Sequence, residues 1–138
     1  ALITDAYSRK IVGYDISDSL ELEGSLRALK KALKSLPAGS KPIHHSDRGI
    51  QYCSYQYTSV LKKHGLKISM ASKGDCYENA MAERVNGILK QEFFLDENFI
   101  NLEHAKKTSK EAIKIYNNMR LHLALAFKTP NQVHLNTA

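Results

Sequence analysis

The sequence lacks the features that mark a membrane protein, a secreted protein or a zinc protein. No apolar run approaches the roughly 20 residues that a membrane-spanning helix needs, and no signal peptide is recognisable. The two cysteines, Cys53 and Cys76, have no metal-binding spacing, so free thiols in a reducing compartment are expected. Internal repeats, low-complexity tracts and linkers are also missing. These absences favour a cytoplasmic protein without a membrane partner.

The composition suits a packed core. Hydrophobic residues make up 43% of the 138 residues, too many for a disordered chain. Lys and Arg number 20 against 14 Asp and Glu, which gives a net charge of +6. A basic excess of this size fits a polyanionic partner, or simply a soluble surface. Because the chain begins at Ala1, without methionine and inside an apolar stretch, we expect residues 1–138 to be a single, N-terminally truncated domain.

Hydrophobic spacing predicts the first half of the fold. Residues 1–4 and 11–16 are apolar and β-branched around a polar turn, which is typical of an antiparallel hairpin. Leucines at steps of three and four then predict a helix over residues 22–36. A short strand over 42–46 follows, and the next helix ends at Gly65.

The second half continues the alternation of strand and helix. A strand is predicted at 66–70, a long helix from about 78 to 93, and a last helix from about 102 to 118 with Met119 facing inward. The tail that follows is predicted to be irregular and broken by Pro130. This order of elements predicts a mixed α/β layer structure.

Two carboxylates stand where α/β proteins place reactive groups. Asp47 follows a strand and begins a glycine-containing loop. Glu83 shares one polar helix face with Asn79, Asn86 and Lys90. Carboxylates from a strand end and a helix can converge on hard divalent cations, which prefer oxygen ligands. Two such ions, about 3.5–4 Å apart, suit phosphodiester chemistry, although any one of these charged residues, taken alone, is more often a solvated surface group.

Four sequence blocks carry a family resemblance. Between Asp47 and Glu83 lie 35 residues, and Lys90 stands seven places further on. The blocks are, in chain order, residues 5–13, His45-Ser46-Asp47-Arg48-Gly49-Ile50-Gln51-Tyr52, residues 69–84, and residues 116–125 with Thr129-Pro130. Together they resemble the DDE transposases of insertion sequences (OrfB type), which have a retroviral-integrase-like catalytic core.

The resemblance implies a fold, a chemistry and a set of partners. The fold is an RNase H-like mixed sheet flanked by helices. The enzyme is a polynucleotidyl transferase that cuts and joins transposon ends with Mg²⁺ or Mn²⁺, with Asp47 and Glu83 as catalytic residues and metal ligands. The implied partners are DNA and further copies of the chain, in the bacterial cytoplasm at the nucleoid, with no small-molecule substrate.

Five residues are candidates for DNA binding, and three of them have a named structural alternative. They are Lys90, Arg48, Lys73, Asn79 and Arg120. Asn79 can instead cap its helix, Lys73 can belong to a solvated loop, and Arg120 can tie the tail to the last helix.

The chain departs from the family at its beginning. The family's first catalytic aspartate lies on a strand upstream of the hairpin, whereas Asp5 matches the hairpin turn. We therefore expect that the first, central strand and one metal ligand are absent, and that the isolated chain is inactive. We expect the flanking strands to close the gap, or a second copy to pair across it. The alternative functions are a non-catalytic DNA-binding or dimerisation fragment and an RNase H-type nuclease.

Three further predictions concern aromatic and basic residues. His44 and His45 point to opposite faces of their strand, so one is packed and the other can face the site. Tyr116 is predicted to lie in the core rather than to stack on a base. Four lysines on the outer face of the last helix form either a solvated face or a phosphate-tracking stripe: Lys106, Lys107, Lys110 and Lys114.

Overall fold

In a computed structural model, which describes residues 1–72 and 80–135, the chain forms strands and helices that alternate broadly as predicted. The strands are β1 Leu2–Thr4, β2 Ile11–Tyr14, β3 Ile43–Ser46 and β4 Lys67–Met70. The helices are α1 Leu22–Lys34, α2 Ile50–Cys53, α3 Tyr55–Lys63, α4 Ala80–Glu92, α5 Leu102–Met119 and α6 Pro130–Leu135, with a 3-10 turn at Leu123–Leu125.

The four strands form two pairs. β1 and β2 are antiparallel, with Leu2 opposite Tyr14, which confirms the predicted hairpin. β3 and β4 are parallel, with Ile43 opposite Lys67 and Ser46 opposite Met70. Within residues 1–72 and 80–135, no strand joins the two pairs into one sheet.

Two outcomes were predicted for the missing strand: closure within one chain, which is wrong for the described residues, and pairing with a second copy, which stays a prediction. A cavity of about 730 Å³ opens between β1 and β3 and is lined by both strands. The hairpin packs on α1 and β4 packs on α3, while Leu29, Tyr57 and Leu61 join these two helices in one core cluster. Because each strand pair is anchored on its own helix, bringing β1 against β3 would disrupt that packing. We call this cavity the slot.

Core clusters lie on both faces of the hairpin. Ile3 packs against the α1–α3 cluster, whereas its neighbour Leu2 packs against a second cluster. Since successive strand residues point to opposite faces, the hairpin lies between two helical layers. The second cluster is formed by β2, α4 and α5, through Ile11, Val85, Ile88, Leu89, Ile113 and Tyr116.

The segment between β3 and β4 contains two helices where one was predicted. The short helix α2 ends at Cys53. The hydroxyl of the next residue, Ser54, accepts the backbone N–H of Tyr57 at 3.2 Å and so caps α3. Gly65 follows α3 with φ +73°, the left-handed conformation that commonly ends helices. The predicted end of this helix is confirmed.

The last long helix, α5, matches its predicted bounds, but Met119 does not face the core as predicted. Lys106, Lys107, Lys110 and Lys114 are exposed, as predicted. Met119 is 70% exposed rather than buried, because α5 continues past the core after Asn117. None of the helices that the structure describes is long and apolar enough to cross a membrane.

The tail also differs from the prediction, since Pro130 begins a helix instead of breaking the structure. The hydroxyl of Thr129 accepts the Gln132 N–H at 3.2 Å, and Gln132 Oε1 accepts the Thr129 N–H at 2.9 Å. This reciprocal pair is a capping box, and proline suits the first helical position because no intrahelical donor is needed there.

Candidate active site

Asp47 lies directly after β3, in a loop that contains Gly49. Its Oδ1 accepts the Gly49 N–H at 2.8 Å. A Cβ on Gly49 would lie 3.0 Å from that oxygen and 3.1 Å from Gln51 Oε1, so a larger residue would require these side chains to shift by a few tenths of an ångström. The Asp47 side chain is exposed, so its carboxylate is open to a ligand on the solvent side.

Asp47 and the beginning of α4 line the same cavity, the slot. Its lining includes Asp47 together with Met81, Ala82 and Asn86 of that helix. Glu83 lies in the same first turns and is exposed. The structure thus brings the strand end that carries Asp47 and the first turns of α4 to one cavity, while Glu83 itself is not among the lining residues; convergence of the two carboxylates stays a prediction.

Lys90 and Arg48 occupy different parts of this surface. Lys90 is exposed in the last turn of α4, seven residues or about 10.5 Å along the helix from Glu83. The Nε of Arg48 donates to the Ala71 carbonyl at 3.0 Å, which ties the loop after β3 to the end of β4. Lys73 and Asn79, the other candidates near this site, lie outside the described residues.

Arg120 is held by an ion pair with α4. Its Nε and one terminal nitrogen each donate to a carboxylate oxygen of Glu92 at 2.7 Å, a two-point geometry that fixes the guanidinium plane. The hydrogen bonds from Arg120 lower the pKa of Glu92. Arg120 therefore joins the end of α5 to the end of α4, and a DNA contact by this residue stays a prediction.

The two histidines of β3 differ as predicted. His44 is half-buried, and its Nε2 lies 2.9 Å from the Tyr57 hydroxyl. Burial lowers the pKa of His44 and raises that of Tyr57, so both are neutral near pH 7. His45 is exposed, with Nδ1 2.9 Å from the Ser69 hydroxyl. His44 is thus a packing residue, and His45 is the accessible one.

Tyr116 is a core residue, which confirms the prediction. It is fully buried, and its hydroxyl donates to the Arg9 carbonyl at 2.9 Å. Burial raises its pKa to about 12. Its ring meets the His122 ring edge-on at 5.2 Å between centroids, so no face is available for a nucleic acid base.

The other carboxylates near the hairpin are engaged elsewhere. Asp15 forms a two-point pair with Arg27 at 2.9 and 3.0 Å. The Oδ2 of Asp5 accepts the Ser8 N–H at 2.9 Å and lies 3.5 Å from His134 Nδ1. Burial opposes the charge on Asp5, but its hydrogen bonds with Ser8 and the nearby His134 together lower its pKa. Both carboxylates thus have partners of their own, although Asp5 lines the slot together with Asp47.

The donor set fits a hard divalent cation in its chemistry, because Asp47 and Glu83 offer carboxylate oxygens. Across the part of the chain that the structure describes, however, no three His, Cys, Asp or Glu side chains form a group that could hold a metal. The assignment of Asp47 and Glu83 as metal ligands therefore stays a prediction.

Sequence reasoning missed two contacts that hold the hairpin in place. The Ser8–His134 contact, 3.1 Å between Oγ and Nδ1, joins the hairpin turn to α6, which the sequence prediction did not contain. The Asn117 amide binds the backbone of Ile11 at both ends. Asn117 occurs in the closing block of the family resemblance, which marked it as a residue of interest. The sequence did not show that its partner is the backbone of Ile11.

Comparison with known families gives a consistent picture. Two family models, both described as integrase core domain, match the chain over residues 1–76 and 64–130. The chain is 40% identical over 129 residues to the insertion element IS600 uncharacterized 31 kDa protein of Shigella sonnei, covering 93% of this chain and 47% of that protein. It is 37% identical to the putative transposase InsK for insertion sequence element IS150 of Escherichia coli (strain K12), covering 93% and 45%. The chain spans about half the length of these relatives.

Solved structures show the same fold. The HTLV-2 integrase catalytic core domain in complex with magnesium, in its dimeric form, superposes with a TM-score of 0.68 at 19% identity, covering 95% of this chain and 80% of that one. The simian T-cell lymphotropic virus intasome in complex with the PP2A regulatory subunit B56 gamma gives 0.68 at 20% identity, covering 86% and 41%. At such identities the likeness shows the fold alone, which is the predicted RNase H-like one.

Proposed function

Because this chain belongs to the integrase core domain family, we propose that it acts in DNA transposition, as the catalytic core that cuts and joins DNA phosphodiesters. The observation that carries the proposal is the meeting of two carboxylate-bearing elements at one cavity. Asp47 lines the slot together with the turn of α4 that bears Glu83. The activity itself is proposed for the longer protein of which such a core is part, since the relatives are about twice as long.

Asp47 and Glu83 are the proposed metal ligands and catalytic residues. Their exposed carboxylates present oxygen donors from a strand end and a helix turn, which suits Mg²⁺ or Mn²⁺. When bound, a pair of such ions activates the attacking water or 3′-hydroxyl and stabilises the leaving oxygen. The backbone N–H of Gly49 supports this role by fixing the Asp47 side chain.

A third carboxylate is proposed to come from a further strand that occupies the slot. Asp5 and Asp15 are both held by other partners, and each strand bordering the slot is hydrogen-bonded, among described residues, on one edge only. A strand placed between β1 and β3 would pair with both open edges and bring a side chain next to Asp47. On this proposal residues 1–138 need that strand for activity.

Basic residues around the carboxylates are proposed to hold DNA. Lys90 is exposed on the same helix face as Glu83, where a lysine offers a point charge to a phosphate. Arg48 is exposed next to Asp47, where its guanidinium uses Nε to bind the Ala71 carbonyl. Lys73 and Asn79 are proposed for the same role on sequence grounds, and Arg120 as a secondary contact that stays paired with Glu92. Self-association and a bacterial cytoplasmic location are part of this proposal.

A plasmid-nicking assay with Mn²⁺ tests the proposal. It compares residues 1–138 with a version extended upstream by one strand, each with Asp47→Asn, Glu83→Gln and, as a control on an exposed acid, Glu97→Gln. We expect nicking by the extended protein alone, lost by at least a hundredfold in both site variants and unchanged in the control. Nicking that survives both site substitutions would contradict the assignment, and salt-sensitive binding without any nicking would favour the non-catalytic DNA-binding alternative.

A further inference from the structure

The positive charge of this chain is concentrated in one stretch. Between Gly24 and Ser72 the sequence has nine Lys and Arg residues, and Asp47 is the only Asp or Glu. Nine cations and one carboxylate give this stretch a formal charge of +8, which exceeds the +6 of the whole chain. Protein surfaces ordinarily intersperse both signs, whereas a field of one sign attracts a polyanion.

Four of these lysines lie together at the amino ends of β3 and β4. We call this group the basic end; it consists of Lys41, Lys62, Lys63 and Lys67. Lys67 is opposite Ile43 in the parallel pair, and a Cβ placed on Gly65 would lie 3.8 Å from Lys41 Cε. Strand spacings of about 4.8 Å and 3.3 Å per residue therefore put the four Cα atoms within roughly 15 Å.

The basic end has no acidic counterpart in the described part of the chain. All four side chains are exposed, and none forms an ion pair with a described carboxylate. Lys62 and Lys63 occupy the last turn of α3, where lysines complement the helix dipole. That explanation does not extend to Lys41 and Lys67, which belong to no helix.

The lysines of α5 provide the contrast. Lys106, Lys107, Lys110 and Lys114 share their helix with Glu103 and Glu111, and Lys106 Nζ lies 4.0 Å from Glu103. Mixed signs at helical spacing are typical of a solvated surface stabilised by its own pairs. Of the two groups, the basic end is the one whose charge is left for an external partner.

We propose that the basic end binds the phosphates of double-stranded DNA at a surface separate from the reacting carboxylates. β3 begins beside Lys67 and ends beside Asp47, so the two surfaces are about 13 Å or more apart along the strand. The basic end thus holds a stretch of duplex away from the phosphodiester that is cut. This inference rests on the proposed function, because transposition requires more than one stretch of DNA to be held.

Salt-dependent binding to a 30-base-pair duplex, measured by fluorescence anisotropy without divalent metal, tests the proposal on residues 1–138. The variant replaces Lys41, Lys62, Lys63 and Lys67 with alanine, and the matched control replaces Lys106, Lys107, Lys110 and Lys114. Each phosphate contact contributes about 0.9 to the slope of log K against log salt, so the variant slope falls by about 3 to 4 and its affinity at least tenfold. The control slope changes by less than about 1.

Several results would overturn the proposal. They are an unchanged slope in the basic-end variant, an equal loss in the control, or no duplex binding by the unaltered chain. The double substitution Lys62→Ala/Lys63→Ala, expected to give half the change, serves if the fourfold variant is not folded by circular dichroism. Asp47→Asn separates this proposal from the proposed function, because it should remove nicking by the extended protein and leave the binding slope unchanged.

Discussion

Asn117 of α5 holds the backbone of Ile11 in β2 by two hydrogen bonds: its Oδ1 accepts the Ile11 N–H at 2.9 Å, and its Nδ2 donates to the Ile11 carbonyl at 3.0 Å. Both groups are buried, and the residues are 106 positions apart in the chain. An edge strand presents unpaired backbone groups, and here one amide side chain satisfies a donor and an acceptor of that edge.

Replacing this amide should destabilise the fold. Asn117→Leu keeps the approximate volume but leaves the Ile11 N–H and carbonyl unpaired in the core, so we expect a loss of about 2–3 kcal/mol in the free energy of unfolding. Urea denaturation measures it. Asn118→Leu, at an exposed neighbouring position, should lose less than about 1 kcal/mol, and equal losses in the two variants would contradict the role of Asn117.

Gly13 and Gly87 form a matched pair for a test of packing. A Cβ on Gly13 would overlap the Ala28 carbonyl oxygen of α1, while one on Gly87 meets nothing within 4 Å. Gly13→Ala should therefore destabilise the protein by about 1–3 kcal/mol, and Gly87→Ala should stabilise α4 by up to about 1 kcal/mol. Thermal unfolding followed by circular dichroism distinguishes the two, and stabilisation by both would show that α1 does not approach β2 so closely.

The Asp15–Arg27 pair should make stability depend on acid pH. Hydrogen bonds from Arg27 lower the pKa of the mostly buried Asp15 carboxyl. A lowered folded pKa contributes stability above the unfolded value, about 3.9, and that contribution is lost as pH falls through the folded pKa. Asp15→Asn should thus be less stable than the parent at pH 7, with the difference shrinking toward pH 3 in urea titrations. A constant difference would contradict the pair's role.

His44 predicts a second pH dependence, in a milder range. Burial lowers its pKa, so the unfolded chain takes up the proton first as pH falls below about 6.5. Stability from the neutral ring is present above that pH and decreases below it. We expect the melting temperature to drop between pH 7.5 and 5.5, and to drop less in His44→Gln, whose amide can still reach the Tyr57 hydroxyl. An identical drop in the variant would assign the effect to other groups.

What the sequence could predict was local. Leucine spacing predicts α1, and the strand-to-loop step at Ser46 places Asp47 where the structure has it. Helix α6 was not predicted, because Pro130 was interpreted only as a helix breaker. Thr129, Pro130 and Gln132 are nevertheless residues that favour a capped helix start. Met119 was placed inward because helical periodicity does not indicate where the core beneath a helix ends.

What the sequence could not predict depends on partners far along the chain. The Asn117–Ile11 and Ser8–His134 contacts join residues more than 100 positions apart, and no spacing rule identifies such pairs. The sequence indicated a missing central strand, but it left open whether β1 and β3 close the gap or stay apart. Whether β1 and β3 meet depends on how α1 and α3 pack through Leu29, Tyr57 and Leu61, which is a property of the assembled layers.

The most direct test of the claim that Asp47 and Glu83 share one metal site is Mn²⁺ titration of ¹⁵N-labelled protein, because a paramagnetic ion broadens the amide signals nearest to it. We predict that the signals of Gly49 and Glu83 broaden first, and that Asp47→Asn and Glu83→Gln each raise the Mn²⁺ concentration required. Glu97→Gln should leave the titration unchanged. Broadening that begins elsewhere, or that is indifferent to both site substitutions, would contradict the shared site.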